Sequence, residues 1–177
     1  MADGKPKFLA LNEIRRLVRA FSTLSMSKIR LTGGEPSLRK DLPGIIQTVA
    51  AVPGIKKIAL TTNGCRLPHL VEPWRESGLT ALNVSLDSLD GTRFLANTGH
   101  DRFAKVAAGI DKALTLGFDA VKINVVLLRD RNDDELPAWL EYLREREVSE
   151  RFIELMRTGE NRAYFERHHL RANVIEQ

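Results

Sequence analysis

Residues 28–42, KIRLTGGEPSLRKDL, bring a cation, two adjacent glycines, an acid and a proline to the junction of a strand-like and a helix-like run. Glycines there let a ligand approach the backbone without a Cβ in the way. Exposed peptide groups at a strand end can bond an amine or a carboxylate, Pro36 stiffens the turn, and Glu35 is able to accept from an ammonium. The competing reading is that Gly-Gly-x-Pro is only a tight strand-to-helix connection. The turn is not one of the familiar phosphate cradles, because both the G-x-G-x-x-G spacing and the G-x-x-x-x-G-K-[ST] loop are missing. A bound nucleotide would therefore need cations and hydroxyls from elsewhere. Arg30, Thr61 and Lys122, on three different strand-like runs, form such a set, each charge-assisted bond being worth about 1.5–3 kcal/mol. For Arg30 the alternative is an ion pair with Asp87 or Glu154.

Periodicity indicates the elements that position these residues. Ile14, Leu17, Val18, Phe21 and Leu24 recur at helical spacing after Asn12, which is expected to be the N-cap. Strands are expected at 28–32, 56–62, 80–87, 120–128 and 150–156. Helices are expected over 42–52 after Asp41, over 69–77 closed by Gly78, over 103–114 closed by Gly117, and over 136–143 after Asp133. The polar tail from Thr158 is expected to be helical in part. Strands alternating with helices imply right-handed crossovers and a parallel sheet in a single domain over 1–177.

Two architectures offer such a sheet: a doubly wound open sheet and a full or partial (β/α) barrel. Parallel strands covered on both faces should be apolar on both. Here Arg30 and Thr32 alternate with Ile29 and Leu31. Asn83, Ser85 and Asp87 alternate with Val84 and Leu86, and Lys122 and Asn124 with Val121, Ile123 and Val125. Burying such groups unpaired costs several kcal/mol, so the expectation is a full or partial (β/α) barrel with a polar, ligand-holding lumen. Its strand ends would form the site.

Composition narrows the function classes. Hydrophobic residues make up 43% of the 177, which excludes a disordered chain. No run spans a bilayer and the first ten residues lack an apolar signal, so a cytoplasmic protein without a membrane partner is expected. Net charge is +4, suited to an anionic ligand, but the basic residues are scattered without an aromatic-rich stripe, and no nucleic-acid partner is expected. Cys65 is alone, so no internal disulfide and no cysteine-held metal is expected. The adjacent His168 and His169 are expected at the surface, and His69 and His100 have no partner at metal-ligand spacing.

Five segments in order, KIRLTGGEPSLRKDL, IALTTNGCRL, LNVSLDSLD, VKINVVLLRDRN and RFIELMRTGE, resemble the GTP 3′,8-cyclase family of the radical S-adenosyl-L-methionine (SAM) superfamily, from about Leu11 to His169. The resemblance implies an incomplete (β/α) barrel and a place in molybdenum cofactor biosynthesis. It implies that Gly34, Ser85 and Met156 contact SAM, with Glu35 assisting its amine, and that Arg30, Thr61 and Lys122 hold GTP. It also implies [4Fe-4S] chemistry: a reduced cluster cleaves SAM to a radical that removes hydrogen from C3′ of GTP, which then closes onto C8. The family's C-x-x-x-C-x-x-C loop and its second cysteine set do not occur in this chain, so no metal-ligating residue is assigned and the chain alone is not expected to cleave SAM. The family pattern places one strand before the strand at 28–32, whose open edge is expected to favour self-association. The alternatives are a non-catalytic nucleotide- or SAM-binding module and a cluster-free barrel enzyme acting on a phosphorylated metabolite.

Overall fold

The computed structural model describes residues 8–171 and residue 173. Helix α1, Leu11–Thr23, begins one residue before Asn12, and the expected cap is displaced. The Glu13 carboxylate reaches back to accept from the Ala10 N–H at 2.8 Å, while Asn12 Oδ1 accepts from Glu13 N–H instead. Strand β1, Lys28–Leu31, leads through Gly33–Gly34 and a short 3₁₀ turn, Pro36–Leu38, into α2, Leu42–Ala50. Asp41 does precede α2, but its carboxylate is held by Arg39 at 2.7 Å rather than by the helix N-terminus.

Strand β2, Lys57–Thr62, and α3, Leu67–Glu76, follow. The helix starts before His69 because Pro68 falls in its first turn, where a missing N–H costs nothing. Gly78 closes it at φ +105°, a region that favours glycine. After β3, Ala81–Ser85, comes a helix that the periodicity did not reveal: α4, Gly91–Thr98, capped by the Asp90 carboxylate accepting from Arg93 N–H at 2.8 Å. Then come α5, Phe103–Thr115; β4, Ala120–Leu127; α6, Leu136–Arg144; β5, Ser149–Glu154; and α7, Arg162–His168.

The five strands lie in sequence order, β1-β2-β3-β4-β5, and every neighbouring pair is parallel. This order decides between the two architectures. A doubly wound sheet reverses direction at a switch point and so receives helices on both faces. Successive right-handed crossovers without reversal place all helices on one face, as in a (β/α) barrel. The core agrees: Val18, Ile46, Val71, Ile110 and Trp139 of the helices pack with Leu60, Leu82, Val84 and Ile123 of the strands. Those strand residues are the apolar half of each alternation. The polar half faces away from the helices.

One expectation is corrected in the tail. His168 is not on the surface but 4% exposed, with Nδ1 2.9 Å from the Arg129 carbonyl and its ring 4.6 Å from that of Tyr164. Its neighbour His169 turns the other way, stacks on Phe165, lies 3.5 Å from Glu154, and makes an antiparallel bridge with Leu128. The tail thereby folds back onto the end of β4. Among the described residues no helix is long and apolar enough to cross a membrane.

Candidate functional site

Strand register turns the helix-free face into rows. Lys28 is level with Lys57. The next row joins Arg30, Ala59, Ala81 and Ala120. Above it stand Thr61, Asn83, Lys122 and Ser149, and above these Ser85, Asn124 and Arg151. Rows are two residues apart, about 6.6 Å along the strands. Thr61 and Lys122 therefore share a row, flanking Asn83, and Arg30 lies one row below across from three alanines whose small side chains leave space beside its guanidinium.

Sequence reasoning missed three cations of this face: Lys28, Lys57 and Arg151. The signal was present, since each continues the two-residue alternation of a strand already recognised. Their proximity is visible in the Lys122 ammonium, which is held below the ordinary lysine range first by Arg151, then by desolvation and by Lys28, Lys57 and Arg30. None of these five side chains makes an ion pair or hydrogen bond among the described residues. The ion pair considered for Arg30 is not formed. Asp87 Oδ1 accepts from Val126 N–H at 2.8 Å, with its carboxyl raised above the usual range by burial, and Glu154 lies on the helix-covered side near His169. Five like charges on one face repel one another and are stabilised by a polyanion.

The rim at the strand ends is built differently. Gly33 adopts φ +140°, and an added Cβ at Gly33 or Gly34 would meet nothing within 4 Å. That backbone is open to a ligand. Ser85 and Met156 are exposed at the same end of the sheet, Met156 by 76%, just beyond β5. Glu35 has a structural role that the sequence did not show. Its Oε1 accepts from Ser37 N–H at 3.0 Å and from the Thr62 hydroxyl at 2.7 Å, and its Oε2 from Asn63 N–H at 2.7 Å. With three donors engaged, Glu35 ties the glycine turn to the end of β2.

A second brace was also missed. Buried Asn132 donates to the carbonyls of Asp87 and Val126 at 2.6 and 2.9 Å and accepts from Leu128 N–H at 2.8 Å. It fixes the ends of β3 and β4, and with them Ser85 and Asn124. Glu135, 8% exposed, does the same for the following loop through the Ser88 hydroxyl at 2.8 Å.

Residues 1–143 match the family profile of the Radical SAM superfamily. The chain belongs to that superfamily. Among its relatives, a "GTP 3′,8-cyclase" of Stenotrophomonas maltophilia is 64% identical over 174 residues, covering 98% of this chain and 53% of the relative. One of Yersinia pestis is 53% identical over 175 residues, covering 99% of this chain and 54% of the relative. The chain thus spans about half the length of the curated relatives it matches. Among solved structures, a domain of pyruvate-formate lyase-activating enzyme from Bacteroides vulgatus aligns with TM-score 0.63 at 18% identity, covering 84% of this chain and 88% of that one. TYW1 with a lysine–pyruvate adduct aligns at 0.58 and 18%, covering 85% and 54%. Both are likenesses of fold, and both agree with the partial barrel.

Radical SAM enzymes use SAM and an iron–sulfur cluster, and the residues here fit the two unequally. The bare Gly33–Gly34 backbone with Ser85 and Met156 on the same rim fits the amino-acid end of SAM. A cluster needs several thiolates. Cys65 is the only cysteine of the 177 residues, and among the described residues no three His, Cys, Asp or Glu side chains converge. The donor set of this chain does not fit a cluster.

Proposed function

We propose that this chain is the substrate- and SAM-holding part of a GTP 3′,8-cyclase acting in molybdenum cofactor biosynthesis. The observation that carries the reading is the face of five cations, unpaired among the described residues, below a glycine-bare rim, in a chain 64% identical to a protein of that name. Arg30 and Lys122 neutralise the phosphates of GTP, Arg30 through a planar fork that can bond two oxygens at once. Thr61 donates its hydroxyl beside them. Gly34 offers peptide groups to the amino-acid moiety of SAM, while Ser85 and Met156 border it. SAM supplies the hydrogen-abstracting group of such enzymes. This chain's own part is to seat the two ligands end to end along the strands, triphosphate towards the cations and sulfonium towards the rim. No step is assigned to a cluster, because the residues present do not hold one.

Titration calorimetry of the 177-residue chain with GTP and with SAM tests this. Both ligands bind; Arg30→Ala and Lys122→Ala each weaken GTP by about tenfold or more, at 1.4 kcal/mol per factor of ten, and leave SAM within about twofold. Absence of GTP binding, equal losses for both ligands, or uptake of a sugar phosphate in place of either would overturn the assignment.

A further inference from the structure

The row farthest from the glycine rim holds two ammonium groups, Lys28 and Lys57, in register on neighbouring strands. Such neighbours stand about 4.8 Å apart across a sheet, and like charges directly opposite destabilise the pair. Neither lysine has a carboxylate partner among the described residues. The row above is empty of bulk except for Arg30, because Ala59, Ala81 and Ala120 complete it. A chain of phosphates descending from the Lys122 row past Arg30 has room to pass over the alanines and ends at the two ammonium groups. The two are not equivalent. Lys28 is exposed on the edge strand, whereas Lys57 is half-buried on a strand flanked on both sides, where an anion is worth more to a cation.

We propose that Lys57 contacts the outermost phosphate of the bound nucleotide and makes this face select a triphosphate over shorter phosphate chains. The inference rests on the nucleotide reading of the same face and adds to it a direction, with nucleoside towards the rim and terminal phosphate towards the starts of the strands. It also gives Lys57 a specific contact, which the reading above does not assign.

The test is calorimetry of the 177-residue chain with GTP, GDP, GMP and inorganic tripolyphosphate, for the wild type, Lys57→Met, Lys57→Arg, Arg30→Ala and the neighbouring exposed Lys56→Met. Circular dichroism confirms that each variant is folded. Expected is wild-type affinity falling from GTP to GMP, and a loss of about tenfold or more in Lys57→Met for GTP and tripolyphosphate. GMP stays within about twofold, Lys57→Arg retains most of the affinity, and Lys56→Met behaves as wild type. If Lys57→Met binds GTP normally while Arg30→Ala does not, the role of Lys57 is wrong and the nucleotide reading stands. Equal losses in Lys57→Met and Lys56→Met would reduce the effect to overall charge and overturn the inference. If the wild type binds neither GTP nor tripolyphosphate, both readings fall together.

Discussion

Glu35 accepts from Ser37, Thr62 and Asn63 at once, joining the glycine turn to the end of β2, a strand that comes later in the chain and to which no local rule links it. Glu35→Gln keeps the shape but turns one acceptor into a donor facing other donors. Leaving such groups unsatisfied costs about 1–3 kcal/mol, so urea unfolding should show that loss. SAM affinity should fall as well, because the turn loses its anchor; a variant of unchanged stability would show the three bonds to be ornamental. Residues of this kind mark the limit of reading from sequence. Arg30 and Lys122 were legible because each is the third residue of its strand and falls on the polar half of the alternation, whereas it is the strand register that sets Thr61, fifth in Lys57–Thr62, on the same face. The work of Glu35 and Asn132 was not legible, because their partners lie on other elements and no spacing rule links them.

Elements were legible where a stripe or an alternation ran long enough. β4 alternates over its full length, Ala120–Leu127, and its two faces differ as expected. α4 escaped because eight residues starting at a glycine give too few apolar positions to establish a period; its boundaries are set instead by the Asp90 cap and by Gly99 at φ +72°. Packing between elements was invisible too. α3 and α5 approach at Gly109, where an added Cβ would lie 2.4 Å from Leu67 Cβ and 3.0 Å from Pro68 Cδ. Both atoms sit close to the backbone, so the helices themselves would have to part. Gly109→Ala should therefore destabilise by about 1–3 kcal/mol despite its better helix propensity. A thermal melt showing a gain would mean that the two helices can separate freely.

At the scale of the whole molecule, the sheet puts its charge on one side and its core on the other. On β5 Glu150, like Glu154, is an exception, and Glu150 is the sealed one of the two. It lies level with Ile123 on the helix-covered face, both oxygens are sealed from solvent with no hydrogen-bond partner among the described residues, and burial pushes its carboxyl up to about 8 from 4.5. A carboxyl raised on folding contributes stability that is complete below its unfolded value and is lost as pH rises through the folded one. Global stability should thus decline from pH 4.5 towards about 8 through this group. Glu150→Gln should flatten that limb in urea titrations made between about pH 5 and pH 9, and an unchanged slope would show that the carboxyl is solvated in the native protein. The consecutive strand order has a kinetic consequence of its own. Every ladder joins a strand to the next one along the chain, from Lys28 with Lys57 to Lys122 with Ser149. No ladder waits for a distant partner, so loop-closure entropy is met in modest instalments. A growing polypeptide can add one strand–helix unit at a time to a sheet already formed behind it, and pulse-labelled hydrogen exchange should find β1 and β2 protected before β5 exists.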